Sequence, residues 1–302
     1  MIMKRIYTLF CIVLFCALMF SSSVKLFAQD SIKNTSDQET KYIEQAFWGT
    51  RVQDGHSIET TPKGNLELRI QHRLGRMNGG FNELFGLDQA SIRLGLDYGI
   101  LNWLMVGVGR STMDKYYNGF IKAKILRQST GKKKMPISLI GVADMGIASG
   151  KWTHTDRKNY FSSRLYYTFQ LIIGGNYWNR LGVQLAPTLV HRNMVTTTRD
   201  HNDVFALGAA ARIRISNVVA LTGEYFYVFP HQIYSQINGS DVRNSFSAGV
   251  EIYTGNHTFQ IFITNSVGSN EKQFLTENTE NWLNKGIHLG FNFTRLFDVG
   301  PH

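Results

Sequence analysis

Leu66-Glu67-Leu68-Arg69-Ile70-Gln71-His72-Arg73-Leu74 alternates apolar and polar side chains: Leu66, Leu68, Ile70 and Leu74 point one way, Glu67, Arg69, Gln71 and Arg73 the other. Successive side chains of an extended chain fall on opposite faces, so this is a strand with two unlike surfaces. The same period of two returns in segment after segment as far as Phe297, and no helical period supplies a separate core. A charged face repeated on so many strands reads as an interior. A closed barrel with an apolar outside and a wet inside satisfies the pattern, and lipid is the solvent that such an outside requires.

Twelve segments are predicted, near 65–75, 89–98, 103–111, 119–127, 136–148, 161–173, 180–190, 203–215, 218–229, 244–254, 257–267 and 286–297. Strands near ten residues long suit a tilted crossing of a bilayer. The connections alternate: 76–88, 112–118, 149–160, 191–202, 230–243 and 268–285 are long, whereas 99–102, 128–135, 174–179, 216–217 and 255–256 are short. Outer-membrane barrels carry long loops outside and tight turns in the periplasm. The expected fold class is therefore all-β, a transmembrane antiparallel up-and-down β-barrel of about twelve strands with both ends periplasmic. A soluble sandwich predicts no such two-sided regularity. Pro187, which has no N–H for a ladder, is expected at a bulge or strand end.

Ahead of the barrel, residues 1–28 read as a secretory signal peptide, with Lys4 and Arg5, an apolar run over 6–20, and Leu26-Phe27-Ala28 before the cut. That run falls short of the roughly 20 residues of a membrane-spanning helix. Residues 29–64 form a periplasmic leader. Its part 29–41 is polar and patternless, while 42–64 holds an apolar spot, Ala46-Phe47-Trp48-Gly49, that is a candidate plug. The sequence leaves open whether it enters the lumen. The barrel domain is 65–297. Cys11 and Cys16 both fall in the peptide, so the barrel needs no disulfide. Beyond the cut, 29 basic residues face 22 acidic ones, scattered along alternating strands, and no basic helix or aromatic-basic RNA motif appears, which excludes nucleic acid as a partner. The 20 Phe, 13 Tyr and 5 Trp sit near segment ends, as at Tyr98 and Trp103, Tyr160 and Phe161, Tyr177 and Trp178, and 226–229. Interfacial aromatic girdles have this distribution.

Several stretches resemble an uncharacterised outer-membrane β-barrel family of Gram-negative bacteria, a domain of unknown function. They are Phe47-Trp48-Gly49-Thr50-Arg51 with Gly55-His56-Ser57-Ile58-Glu59-Thr60, His72-Arg73-Leu74-Gly75, Phe85-Gly86-Leu87-Asp88, Gly107-Val108-Gly109-Arg110-Ser111, and residues 122–128. The resemblance implies an outer-membrane barrel and outer-membrane lipid around it. It implies no activity.

Strand direction places the candidate site residues. His72, Arg73, Asp88, Arg110 and Lys122 are expected at one quarter of the extracellular mouth, as a ligand site or as a charge network closing it. Arg110 breaks parity with Leu104, Val106 and Val108, so it snorkels to the rim or marks a bulge. The polar faces put Arg69, Arg73, Arg93, Lys122, Lys124, Arg164, Arg212 and Arg214 in the lumen, against Glu67, Asp97, Asp144, Glu224 and Glu251. This positive excess favours anions in any water path. Porins with a clear channel have about 16–18 strands, so twelve hold a narrow path or none. No His pair has metal-helix spacing, Gly107-Val108-Gly109 lacks the rest of a phosphate loop, and nothing orders a nucleophile site. No cofactor, metal or enzymatic activity is expected. The expected function is a narrow porin-like conduit for small polar or anionic solutes. The alternatives are a closed barrel serving as a binding or scaffold component for an envelope protein partner, through loops 230–243 and 268–285, and a lipid-directed enzyme.

Overall fold

The computed structural model describes residues 39–152 and 158–300; the expected signal peptide and the leader through residue 38 lie outside them. Residues 39–41 with 130–134 make a small unit of their own, and the barrel belongs to a second unit of residues 42–129 with 135–300. The barrel strands are β1 (Asn65–Arg76), β2 (Ala90–Leu101), β3 (Leu104–Ser111), β4 (Tyr116–Leu126), β5 (Ser138–Ala148), β6 (Leu165–Tyr177), β7 (Leu181–Arg192), β8 (Asp203–Arg214), β9 (Val219–Val228), β10 (Ser245–Tyr253), β11 (His257–Thr264) and β12 (His288–Asp298). Each pairs antiparallel with the next, and β12 returns to β1 to close a barrel of twelve strands. Closure leaves no unpaired edge, which hydrocarbon would not tolerate.

Register fixes which side chains look inward. Glu67 stands opposite Asp97, Gln71 opposite Arg93 and Gln71 also opposite Asn292, so polar positions of β12, β1 and β2 share the inner face. Leu94, Val108, Ile121, Ile125, Leu185 and Ile261 are exposed on the outer face. Aromatics crowd both ends of this apolar band, with Trp103 and Trp178 at the tight turns and Tyr117, Tyr160, Phe161, Tyr225 and Tyr227 toward the long loops. Phe226 departs from the girdle expectation: it is buried, with 3% of its surface exposed, and points into the lumen. Pro187 departs too. It sits mid-strand in β7, opposite Leu207, without a register shift. The cost is local: the β6–β7 ladder lapses between Gln170–Thr188 and Ile173–Leu185, then resumes in the same register.

Two outer loops are clasped by one carboxylate. Asp200 accepts hydrogen bonds from the backbone N–H groups of Tyr234 (2.7 Å) and Ser235 (2.9 Å), and from Thr197 through both N–H and hydroxyl (2.9 Å each). Desolvation raises its pKa, but these donors outweigh that and hold the carboxyl well below the usual range. A depressed folded pKa stabilises above the unfolded value, near 4 for Asp, and the contribution fades as pH falls through the folded value. The clasp should therefore hold at neutral pH. Asp200→Asn should make loops 193–202 and 229–244 more sensitive to limited proteolysis at pH 7. Unchanged cleavage would count against the clasp.

Candidate functional site

The lumen is occupied by residues 46–61. Every one of them except Trp48 is buried. The segment forms a small hairpin: Val52 N–H donates to Gly55 O (3.0 Å) and Ser57 N–H to Thr50 O (3.0 Å). Arg51 stands opposite His56 and Val52 opposite Gly55, so Gln53 and Asp54 form the reversal. At Gly55 only hydrogen fits, since a Cβ there would stand 2.5 Å from Cζ of Phe226.

One side of the hairpin is apolar. Ala46, Phe47, Val52 and Ile58 cluster with Ile140 and Val142 of β5, Ile172 of β6, Ala186 of β7 and Ala210 of β8. The inner wall is thus not polar all round, as alternation alone would have it. On β5 Asp144 is the one charged residue that marks the inward face, and the other inward positions are apolar or small, so the polar parity there is faint.

The other side is polar and bonded to the opposite wall. Arg73 of β1 donates to Asp54 Oδ1 through Nε (3.1 Å) and Nη2 (2.5 Å), and Ser247 of β10 donates to Oδ2 (2.9 Å). The N–H groups of Asp54 and Gly55 both point at Glu224 of β9. Gln53 donates to Thr222 Oγ1 (2.8 Å), and Asn292 of β12 donates to Gln53 O (2.9 Å). Lys122 of β4 reaches Thr50 O (3.0 Å), and Thr50 donates to Glu67 (2.7 Å). Gln184 of β7 both accepts from Ile58 N–H (2.9 Å) and donates to His56 O (2.8 Å). Pairing of this kind is what buried charges need, because an unpartnered ion in a low-dielectric interior is strongly destabilising.

A second element enters from outside. The loop after β11 turns inward and carries helix α1 (Glu271–Thr276). Phe274 and Leu275 pack on Val190, Val204, Ala206 and Phe226 of the inner wall. Glu271 accepts from Arg51 of the hairpin at 2.9 Å, both groups being 1% exposed. Hairpin and helix therefore meet inside the barrel, one arriving from the periplasmic end and one from the outer end.

The structure spreads the expected rim cluster out. Arg73 is buried in the lumen, and Lys122 lies mid-strand in β4 because that strand begins at Tyr116. His72 faces outward beside Phe291 (6.4 Å between rings), Asp88 is exposed in the loop before β2, and Arg110 is exposed on the outer face. There Arg110 Nε donates to Tyr117 OH (3.0 Å), which is the snorkelling alternative rather than a bulge. The lumen expectation fares differently by residue. Arg93 is buried and donates to Gln71 (3.0 Å) and Asn118 (2.8 Å); Asp97 pairs with Arg69 (2.8 Å). Arg212 is buried above the Trp48 ring, 4.5 Å from its centroid. Arg214 pairs with Glu44 (3.1 Å) at the periplasmic rim, and Lys124 lines a cavity of about 300 Å³ beneath the hairpin. Arg164 lies outside the lumen set: it precedes β6, bonds to Ala148 O and Gly150 O, and stacks on Trp152. The partners missed from sequence are Arg51, Asp54, Glu59 and Glu271; the Asp54-Gly55 dipeptide, a common turn signal, was the available sign that the leader has structure of its own, although the reversal itself falls on Gln53 and Asp54. On the outer side of the hairpin a larger vestibule of about 860 Å³ opens at the barrel mouth.

The model of the family described as Membrane bound beta barrel domain (DUF5777) matches residues 47–297, a span that includes the hairpin. No curated protein matches the sequence. Among solved structures, an outer membrane channel from Pseudomonas putida F1 aligns over 80% of this chain and 98% of its own, at 13% identity and a TM-score of 0.48. The KdgM porin aligns over 77% and 99% at 10% identity and 0.45, and the NanC porin over 76% and 98% at 9% identity and 0.45.

Proposed function

Because the chain belongs to this family of membrane-bound β-barrels, we propose that it is a porin-like outer-membrane conduit for small polar or anionic solutes, held shut by residues 46–61. One observation carries the reading: the hairpin is a separate segment of chain, seated in the lumen by non-covalent contacts and matched to an apolar half-wall and a polar half-wall. A barrel built only as a scaffold has no need for a removable filling in a polar-lined bore. When the hairpin leaves, the lumen keeps Arg69, Arg73, Arg93, Lys122, Arg192 and Arg212 against Glu67, Asp97, Asp144, Glu224 and Glu251 of the wall and Glu271 of α1, which balance. Lys124 and Arg214 then add positive charge toward the periplasmic end. Anions are the favoured passengers, since ring charges set the sign of selectivity.

The contact between Arg51 and Glu271 supports a second reading, a closed barrel whose outer loops bind an envelope protein, because it couples α1 to the filling. Planar bilayers separate the two. Intact protein should give rare, brief openings with reversal potentials on the anion side of a salt gradient. Silence from the intact chain and from the chain lacking the hairpin would remove the conduit and leave the scaffold. Neither reading gives the barrel a chemical reaction.

A further inference from the structure

The vestibule at the outer mouth is walled by the loop after β1, which folds back until Gly86 touches Gly75. A Cβ on Gly86 would stand 2.3 Å from Gly75 O, and its φ of +90° also favours glycine. This contact between two stretches singled out in the sequence sets Asn78, Gly79, Glu83 and Gln89 of the loop against Arg73, Leu74 and Gly75, and these residues line one cavity. Its volume of about 860 Å³ is within the usual range for small-molecule sites, roughly 300–1,000 Å³.

Inside it, one buried group lacks a partner. His288 Nδ1 lies 2.8 Å from Leu74 O, an acceptor only, so Nδ1 carries a proton, and in that tautomer of the imidazole Nε2 presents a bare lone pair. That nitrogen is buried, with no hydrogen-bond partner among the described residues. Its nearest charged neighbour, Glu280 Oε2, is 3.7 Å away, too far for a hydrogen bond and itself an acceptor. What is wanted there is a donor. The cations of the lining are spent and a carboxylate remains: Arg76 grips Glu280 through Nε (2.8 Å) and Nη2 (2.9 Å), Arg73 is committed to Asp54, and Glu83 adds a further negative charge. Asn78 and Gln89 add amides that both donate and accept.

We propose that the vestibule binds an uncharged, polyhydroxylated solute of the carbohydrate class, with one ligand hydroxyl donating to His288 Nε2 and others bonding Glu280 and the two amides. Hydroxyls both donate and accept, which suits a site of mixed donors and acceptors whose arginines are already committed to carboxylates. Leu74, Met113 and Val267 supply apolar contact for the carbon skeleton. This deepens the conduit reading by naming what gathers at its entrance, and it rests on that reading.

The test is calorimetry on the full chain in detergent with maltose as the probe and gluconate as its charged counterpart. Maltose should bind with a dissociation constant in the millimolar range (~1 mM corresponds to about −4 kcal/mol), and more tightly than gluconate. His288→Phe should weaken maltose binding at least tenfold. Because His288 also anchors Leu74, the unsubstituted protein supplies a second readout: maltose, not gluconate, should shift the ¹⁵N resonance of His288 Nε2. No heat and no shift with maltose, or preference for gluconate, overturns the proposal. A barrel that conducts without binding maltose refutes this site only; one that binds maltose but never conducts, with or without the hairpin, refutes the conduit only.

Discussion

Deleting residues 43–61 is expected to raise single-channel conductance by about tenfold or more over the intact chain, since ion flow through a bore scales with the open cross-section and its lining charges. The reason lies in what holds the segment. Phe47, Val52 and Ile58 are each at most 3% exposed. Withdrawing each into water costs roughly 1.5–3 kcal/mol as an upper estimate. The polar side adds the bonds of Asp54, Gln53 and Thr50 to the wall. With that total the hairpin leaves rarely, so the intact protein conducts rarely. The barrel itself keeps its closed ladder without the hairpin, because every strand pairs with two neighbours. Deletion should therefore change conduction far more than assembly. Heat-modifiable migration on gels checks assembly, and bilayer recordings of the same sample check conduction. A folded deletion variant with the conductance of the intact chain would show that the hairpin is not the closure.

Asp54→Ala should loosen the hairpin more than any other single substitution within it. Asp54 is fully buried, and its carboxylate faces the equally buried Arg73 guanidinium. Removing one partner of a buried pair costs about 3–5 kcal/mol, because the other charge is left uncompensated. Two circumstances favour the lower end. Arg73 keeps bonds to His72 O (2.9 Å) and Asn292 (2.9 Å), and loss of Asp54 relieves its repulsion with the adjacent Glu224. About 3 kcal/mol corresponds to roughly a hundredfold rise in the open population of the hairpin. Asp54→Asn retains an acceptor for Arg73 and should fall between. An Ala variant whose hairpin opens no more often than the parent would remove Asp54 from the centre of the closure.

The strands were legible because lipid enforces strict parity: an outward polar residue is penalised by hydrocarbon, so Leu94, Val108 or Ile261 announces the outer face on its own. The lumen obeys no such rule. Ile140, Val142 and Ile172 point inward because a hairpin covers them, and that cover is a contact distant in sequence. The candidate site was legible in part. Arg73, Arg93, Asp97, Lys122 and Arg212 carry inward parity, and they are inside. Their partners were not, since Asp54 and Glu271 lie on segments without a repeating pattern, and only three-dimensional placement brings them to Arg73 and Arg51. The mouth cluster failed for a related reason. Strand ends shift by a few residues, and the three-residue earlier start of β4 was enough to move Lys122 from the rim to the interior.

The most direct measurement is the reactivity of a single cysteine in the hairpin. Cys11 and Cys16 lie in the expected signal peptide, so with both replaced a probe at Ser57 is unique. Ser57→Cys is nearly isosteric, and Ser57 is fully buried, donating to Gly49 O at 2.7 Å. Protein in intact outer membranes, treated with a water-soluble maleimide, should remain unlabelled at position 57, while Trp178→Cys, at an exposed turn, reacts quickly in purified protein. Adding Asp54→Ala should speed labelling at position 57. If the thiol introduced by Ser57→Cys, in the otherwise unaltered hairpin, reacts as fast as the exposed site, residues 46–61 do not fill the lumen and the closed conduit is wrong.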